Sequence, residues 1–246
     1  MNVSSLLALH SGRTDGWKYD HLVRELGRLQ VASGRLEASD PFVNLGMGLE
    51  VTVPAGLYAA WVTVADVSDG QDGSHLRECY LSIVIAEGVP ARVEYLAPDG
   101  AEPPSDPDAF YGVAVDAGTV AFADADAVAR CMPAGDWYQD VFDTGRDDSW
   151  FALMDSPTHF VEGCANIVLP GATAGENVVL SHSGWGDGFY PVLGAYDATG
   201  RLLSVHIDLL VEEPEDGQPV PPAEPVNVIE PQVETGFWRR LLGPSR

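Results

Sequence analysis

The chain has 246 residues, enough for one large domain or two small ones, and 46% of them are hydrophobic, which excludes global disorder. The formal net charge of -24 excludes an unaided binder of nucleic acid or of an anionic membrane, because phosphate repels such a surface. Cys79, Cys131 and Cys164 follow neither a zinc spacing nor a secreted disulfide pattern, so they read as buried thiols of a reducing cytoplasm.

Lys18 is the sole lysine against twelve arginines, and Ala, Gly, Val and Asp are abundant, which points to a high-GC bacterial genome. A salt-adapted source would produce the same excess of acid. The N-terminal stretch MNVSSLLALHSGRTDG has no basic region and only a short apolar run, so no signal peptide is expected. No window approaches the ~18 apolar residues of a spanning helix.

In chain order, the first expected element is a helix over 15–30, within an N-terminal helical segment 1–32. Tyr19, Leu22, Val23, Leu26 and Leu29 recur at the spacing of one helical face, with Thr14 or Asp15 as cap and Gly34 as breaker. Residues 33–211 then form one β-rich domain. LEVTVPAGLYAAWVTVADV (49–67) reads as strand, turn, strand; RECYLSIVIAEG (77–88) and VPARVEYLAP (89–98) are further strands. DGAEPPSDPDA (99–109) is a loop. YGVAVDAGTVAFADADAVARC (111–131) predicts strand, turn at Gly118, strand, and a helix capped by Asp124; two short helices follow in 133–165. NIVLP, NVVLSHS, FYPVLGAYD and RLLSVHIDLLV are strands, the last two joined through DATG (197–200). The expected class is α+β, mostly antiparallel and sandwich-like, with an N-terminal helix and short helices in 124–155.

The last third, SGWGDGFYPVLGAYDATGRLLSVHIDLLV, resembles the C-terminal signature of the bacterial family called domain of unknown function 4241: Gly-Trp-Gly-Asp-Gly, a Tyr-Pro strand, an Asp-rich turn and a final hydrophobic strand. SGRLEASDPF (33–42) and YGVAVDAGTVAFAD (111–124) are similar to two other family segments, and together the likeness covers about residues 33–211. Tyr95 departs from an expected tryptophan, and the last strand reads DLLV where a Phe after Asp is usual. The likeness implies no substrate or reaction, because the family's function is unknown.

Pairing the last two strands with Tyr196 opposite Arg201 sets Val192 against Val205, Pro191 against His206 and Phe189 against Asp208. Leu203, Val205, Ile207, Leu209 and Val211 then share the core face, and His206 and Asp208 point the other way, toward the Gly184–Gly188 turn. Asp187, His206, Asp208 and His182 could converge there as acid and base, or around a divalent metal. The structural alternative makes Gly184, Gly186 and Gly188 a tight turn, has Trp185 plug the core's end, and has Asp187 bond turn amides. Trp185 is also a candidate binding residue. Asp40 and Asp116 read as turn formers.

From Glu212 the character changes. Residues 212–235 form an acidic Pro-rich linker with no basic residue, expected to be disordered. Residues 236–246 are an amphipathic peptide in which Phe237, Trp238, Leu241 and Leu242 share one helical face beside Arg239 and Arg240. Such a peptide docks on a protein groove, or touches a membrane surface weakly. The functional expectation is a cytoplasmic, non-enzymatic interaction module that binds a protein partner through this tail. It would need no cofactor, and an immunity-like block of a basic toxin is one version. The alternative is a metal-dependent hydrolase acting through the Gly184–Gly188 loop and the last strand.

Overall fold

The strongly alternating segments of the sequence become the centre of a large antiparallel sheet. A computed structural model describes residues 6–102, 104, 106 and 109–213. The large sheet runs β1 (Gly12–Arg13), β2 (Asp20–Val31), β5 (Gly56–Asp66), β6 (Leu76–Val84), β13 (Leu202–Asp208), β12 (Gly188–Tyr196), β7 (Arg92–Tyr95), and β8 (Gly112–Val115) pairs the far end of β12. A smaller sheet has the order β10 (Cys164–Val168), β11 (Asn177–His182), β9 (Thr119–Asp124), β3 (Arg35–Ser39), β4 (Leu49–Thr52).

The two sheets face each other across one core. Leu26, Leu29, Val62, Ile83, Val205 and Ile207 enter it from the large sheet; Leu36, Val51, Val120, Phe122 and Val179 enter from the small one. Each fully buried side chain of this size contributes about 1.5–3 kcal/mol. The small sheet is covered on its other face too, by α1 (Ala125–Cys131), a π-helical turn (Tyr138–Phe142) and α2 (Trp150–Met154). Burial on both faces explains why NVVL in β11 is a continuous apolar run rather than an alternating one: Val179 faces the sandwich, Val178 and Leu180 face the helices.

The architecture is therefore the expected mostly antiparallel α+β sandwich, with its short helices inside 124–155. Asp124 caps α1 by accepting from the Ala127 amide at 3.0 Å, as its position before the apolar run implies. The three cysteines are free and buried. No helix among the described residues is long and apolar enough to cross a membrane.

The N-terminal helix is not formed: Asp20–Val31 is a strand paired with β5 along its length. A bulge between Glu25 and Arg28, at Gly27 with φ +78°, inserts an extra residue and leaves Leu26 and Leu29 pointing into the core three positions apart. That spacing imitates a helical face. The other members of that face do not share a side: Leu22 is exposed, Val23 is half-buried, and Tyr19 lies before the strand, packed on the edge of the core.

The strand, turn, strand reading of 49–67 holds, with the Pro54–Ala55 connection carrying the chain from the small sheet to the large one. One pairing differs. In the last hairpin Val192 lies opposite Ile207, not Val205: the turn sets Tyr196 against Leu202 rather than Arg201, and a bulge at Ala195/Tyr196 leaves Leu203 unpaired in the ladder. The Leu203 carbonyl instead accepts from the amides of Ile85 and Ala86. The expected core residues of β13 and its extension nevertheless keep their face and are buried. Residues 214–235 of the expected linker 212–235, and the tail residues Phe237, Trp238, Leu241 and Leu242, lie outside the described residues.

Candidate functional site

The residues nominated at the sheet end are placed in separate environments. His206, on β13, is 1% exposed. Its Nδ1 meets Ser82 Oγ at 2.8 Å and its Nε2 meets Ser204 Oγ at 2.7 Å. Burial pulls its pKa down to about 3, so the ring is neutral and both nitrogens are occupied. Asp208, two residues on, has its pKa pushed up to about 6 by burial, against the pull of the Leu210 amide on Oδ1 at 3.0 Å. Glu212, at the start of the expected linker, is pinned: Oε1 accepts from the amides of Lys18 and Tyr19, and Oε2 lies 3.0 Å from Nε2 of buried His21.

His182 belongs to the other sheet, at the exposed end of β11. Its neighbour is Glu78, a residue the sequence reading did not select: a Cβ built on Gly163 would sit 2.9 Å from both Glu78 Oε1 and His182 Nδ1. Burial pushes the Glu78 carboxyl up, and His182 and Arg77 offset part of that rise. Asp187 stands exposed at the loop tip. Among the described residues no three His, Cys, Asp or Glu side chains are grouped so as to hold a metal ion.

The Gly184–Gly188 loop is a backbone corner. Gly184 has φ +67° and no room for a side chain, because a Cβ would sit 2.5 Å from Val211 Cγ2 and 2.7 Å from the Glu78 carbonyl. The Gly186 carbonyl accepts from both Ser183 Oγ and Tyr190 OH at 2.7 Å. The Gly186 amide goes to the Ser183 carbonyl, and among the described residues no turn amide donates to the Asp187 carboxylate. Trp185 does not plug the core: it is 55% exposed, with the Arg77 guanidinium 5.2 Å above its ring and His75 against its edge.

A concave surface forms elsewhere, over the helical side of the small sheet. One wall is loop 40–47. Asp40, fully buried, holds that loop to the β8–β9 turn: Oδ2 accepts from the amides of Asp116 and Ala117 at 2.9 and 2.8 Å, and Oδ1 from Thr119 Oγ1 at 2.8 Å. Glu37 reaches up from β3 to accept the Gly46 amide at 2.7 Å, and burial raises its pKa. Asp40 and Asp116 are thus the turn formers expected of them.

The opposite wall is α1 and the residues after it, where Trp137 Nε1 donates to the Pro133 carbonyl at 2.6 Å. Between the walls lies a groove of about 660 Å³ lined by Phe42, Leu45, Met47, Met132, Trp137 and Phe142, among others. Phe142 anchors its floor, with ring centroids 5.0 Å from Phe42 and 5.1 Å from Trp150. The lip is left in water: Met47 is 78% exposed and Val43 51%. The segment that supplies Trp137 and Phe142 also carries Asp136, Asp140 and Asp143, all exposed. The groove can grip apolar side chains and attract cations, and its named lining carries no nucleophile or titrating base. Two signals announced it: apolar Phe42, Val43, Leu45 and Met47 inside a loop, and the aromatic run 137–151.

No curated protein and no solved structure matches the chain significantly. A family model, described as protein of unknown function (DUF4241), matches residues 29–207, from the end of β2 to the penultimate residue of β13. The match takes in the small sheet, the large sheet from the end of β2 onward and both walls of the groove, so this chain belongs to the DUF4241 family.

Proposed function

We propose that the protein is a non-enzymatic interaction module of the cytoplasm whose working surface is the groove between loop 40–47 and residues 128–142. The observation that carries this reading is the exposure of Met47 and Val43 on a loop that buried Asp40 and Glu37 hold rigid. A fixed apolar lip kept in water is the signature of a surface that awaits a partner. The partner's chemistry follows from the rim and the net charge of -24: a basic protein with an apolar anchor, such as a toxin or nuclease that the acidic surface would block in place of phosphate.

The test is quantitative capture from an extract of the source cells by the wild-type chain and by Met47→Asp. A basic protein that wild type retains and Met47→Asp loses at least tenfold supports the reading. Identical partner sets overturn it.

A further inference from the structure

The groove needs an occupant that is apolar, aromatic and cationic, and the chain carries such a segment itself. Residues 237–242, Phe-Trp-Arg-Arg-Leu-Leu, combine four large apolar side chains with two arginines. In a chain with 37 acidic residues against 13 basic ones, such a cluster is out of keeping with everything around it. Phe237 and Leu241 are four apart, as are Trp238 and Leu242, so one turn and a half of helix would present all four to one side. A helix this short does not persist alone in water and needs a groove to fold against.

Two further observations fix the choice of occupant. The first is charge: Asp136, Asp140 and Asp143 stand on the segment that supplies Trp137 and Phe142, and Arg239 and Arg240 stand between the tail's apolar pairs. The second is reach. Glu212 is pinned to the start of β2, so the chain's reach is counted from there. The residues from Pro214 to Gly236 extend up to about 75 Å. A domain of this length has a radius of gyration of about 17 Å. Every point on its surface is within the tether's range, and a tethered ligand meets its site at an effective concentration on the order of mM.

We infer that, granted the groove is the binding surface, its resident occupant is the chain's own 237–242 segment, seated in cis. A partner must displace it. The tail is then a competitor that sets the threshold for binding, and the acidic linker, which repels the acidic domain, keeps the off-state accessible.

The test places the photoreactive residue p-benzoyl-phenylalanine at position 237 of the full-length chain, irradiates it, and maps the products by mass spectrometry. The expected product migrates as a monomer and joins position 237 to residues 40–47 or 128–142. Arg239→Glu with Arg240→Glu should lower its yield at least threefold, and Met47→Asp about tenfold. Crosslinks confined to other parts of the domain, crosslinked dimers alone, or no crosslink overturn the assignment. The two readings fail separately. If crosslinks land elsewhere while Met47→Asp still abolishes partner capture, the groove stands and the tail assignment falls. If position 237 crosslinks to the groove but Met47→Asp keeps every partner, the tail assignment stands and the interaction reading falls.

Discussion

The sheet end around β13 and the groove over the small sheet are made of opposite materials. At the sheet end, groups that look chemically active are used up by the fold: His206 by two serines, Asp208 by a backbone amide, Glu212 by the amides that open β2. At the groove, groups that look like core are left uncovered, with Met47 and Val43 in water above a floor of Phe142 backed by Trp150. A titratable side chain can satisfy itself inside its own domain. An exposed apolar lip cannot, so it is the better pointer to a partner.

The largest expected effect tests whether the groove's floor is structural while its lip is free. Phe142→Ala should destabilise the chain by about 3–5 kcal/mol, because Phe142 is buried against Phe42, Trp137 and Trp150. Urea denaturation followed by circular dichroism measures it. A loss under about 1 kcal/mol would mean that the floor rearranges freely and that the groove has no fixed shape.

Asp208 gives the next effect, at the opposite region. Its folded pKa of about 6 lies above the ordinary aspartate value, so the native state keeps its proton where the unfolded chain has lost it. Stability from this group is complete below pH 4 and is lost as pH rises from about 4 to 6. Asp208→Asn removes the charge and keeps an acceptor for the Leu210 amide. It should stabilise the protein at pH 8 by about 1–3 kcal/mol, and by about half as much at pH 5. Paired denaturation curves at the two pH values decide it. A variant destabilised at pH 8 would show that the charge has an unseen use, and would revive the sheet end as a site. His206 has the reverse sign: its pKa falls to about 3, so its share of stability is lost as pH drops below about 6.5.

The sheet architecture was legible because β-branched and aromatic runs between Gly, Pro and Asp signals define strands whatever their partners. The cap at Asp124 and the turn at Gly118 were legible for the same local reason. What could not be read was whatever depends on a bulge or on distant pairing. One inserted residue at Gly27 gave Leu26 and Leu29 a helical spacing; in the last hairpin the turn set Tyr196 against Leu202 rather than Arg201, and the inserted Leu203 added a second step, so the register moved by two. The convergence proposed for Asp187, His182, His206 and Asp208 inherited that register, and it assumed that His182 shared the sheet of His206, which it does not. The groove escaped notice because its walls lie far apart in sequence, at 40–47 and 128–142, and come together through Asp40's bonds to the β8–β9 turn, the packing of α1 on the small sheet and the Phe42–Phe142 ring contact.

Met47→Asp should have the smallest effect on stability and the largest on binding, and that split sharpens the comparison most. Met47 is 78% exposed, so little transfer energy is lost when it is replaced, and its amide bond to the Asn44 carbonyl at 2.9 Å survives any side chain. The change in unfolding free energy should fall within about 0.5 kcal/mol, as for surface substitutions generally. The new carboxylate stays in water in the free protein, but it desolvates badly beneath any apolar anchor. A melting temperature equal to wild type, with partner retention reduced at least tenfold, is the expected pair of results. If stability falls by 2 kcal/mol or more instead, Met47 belongs to the fold, and the lip is a piece of core that happens to show.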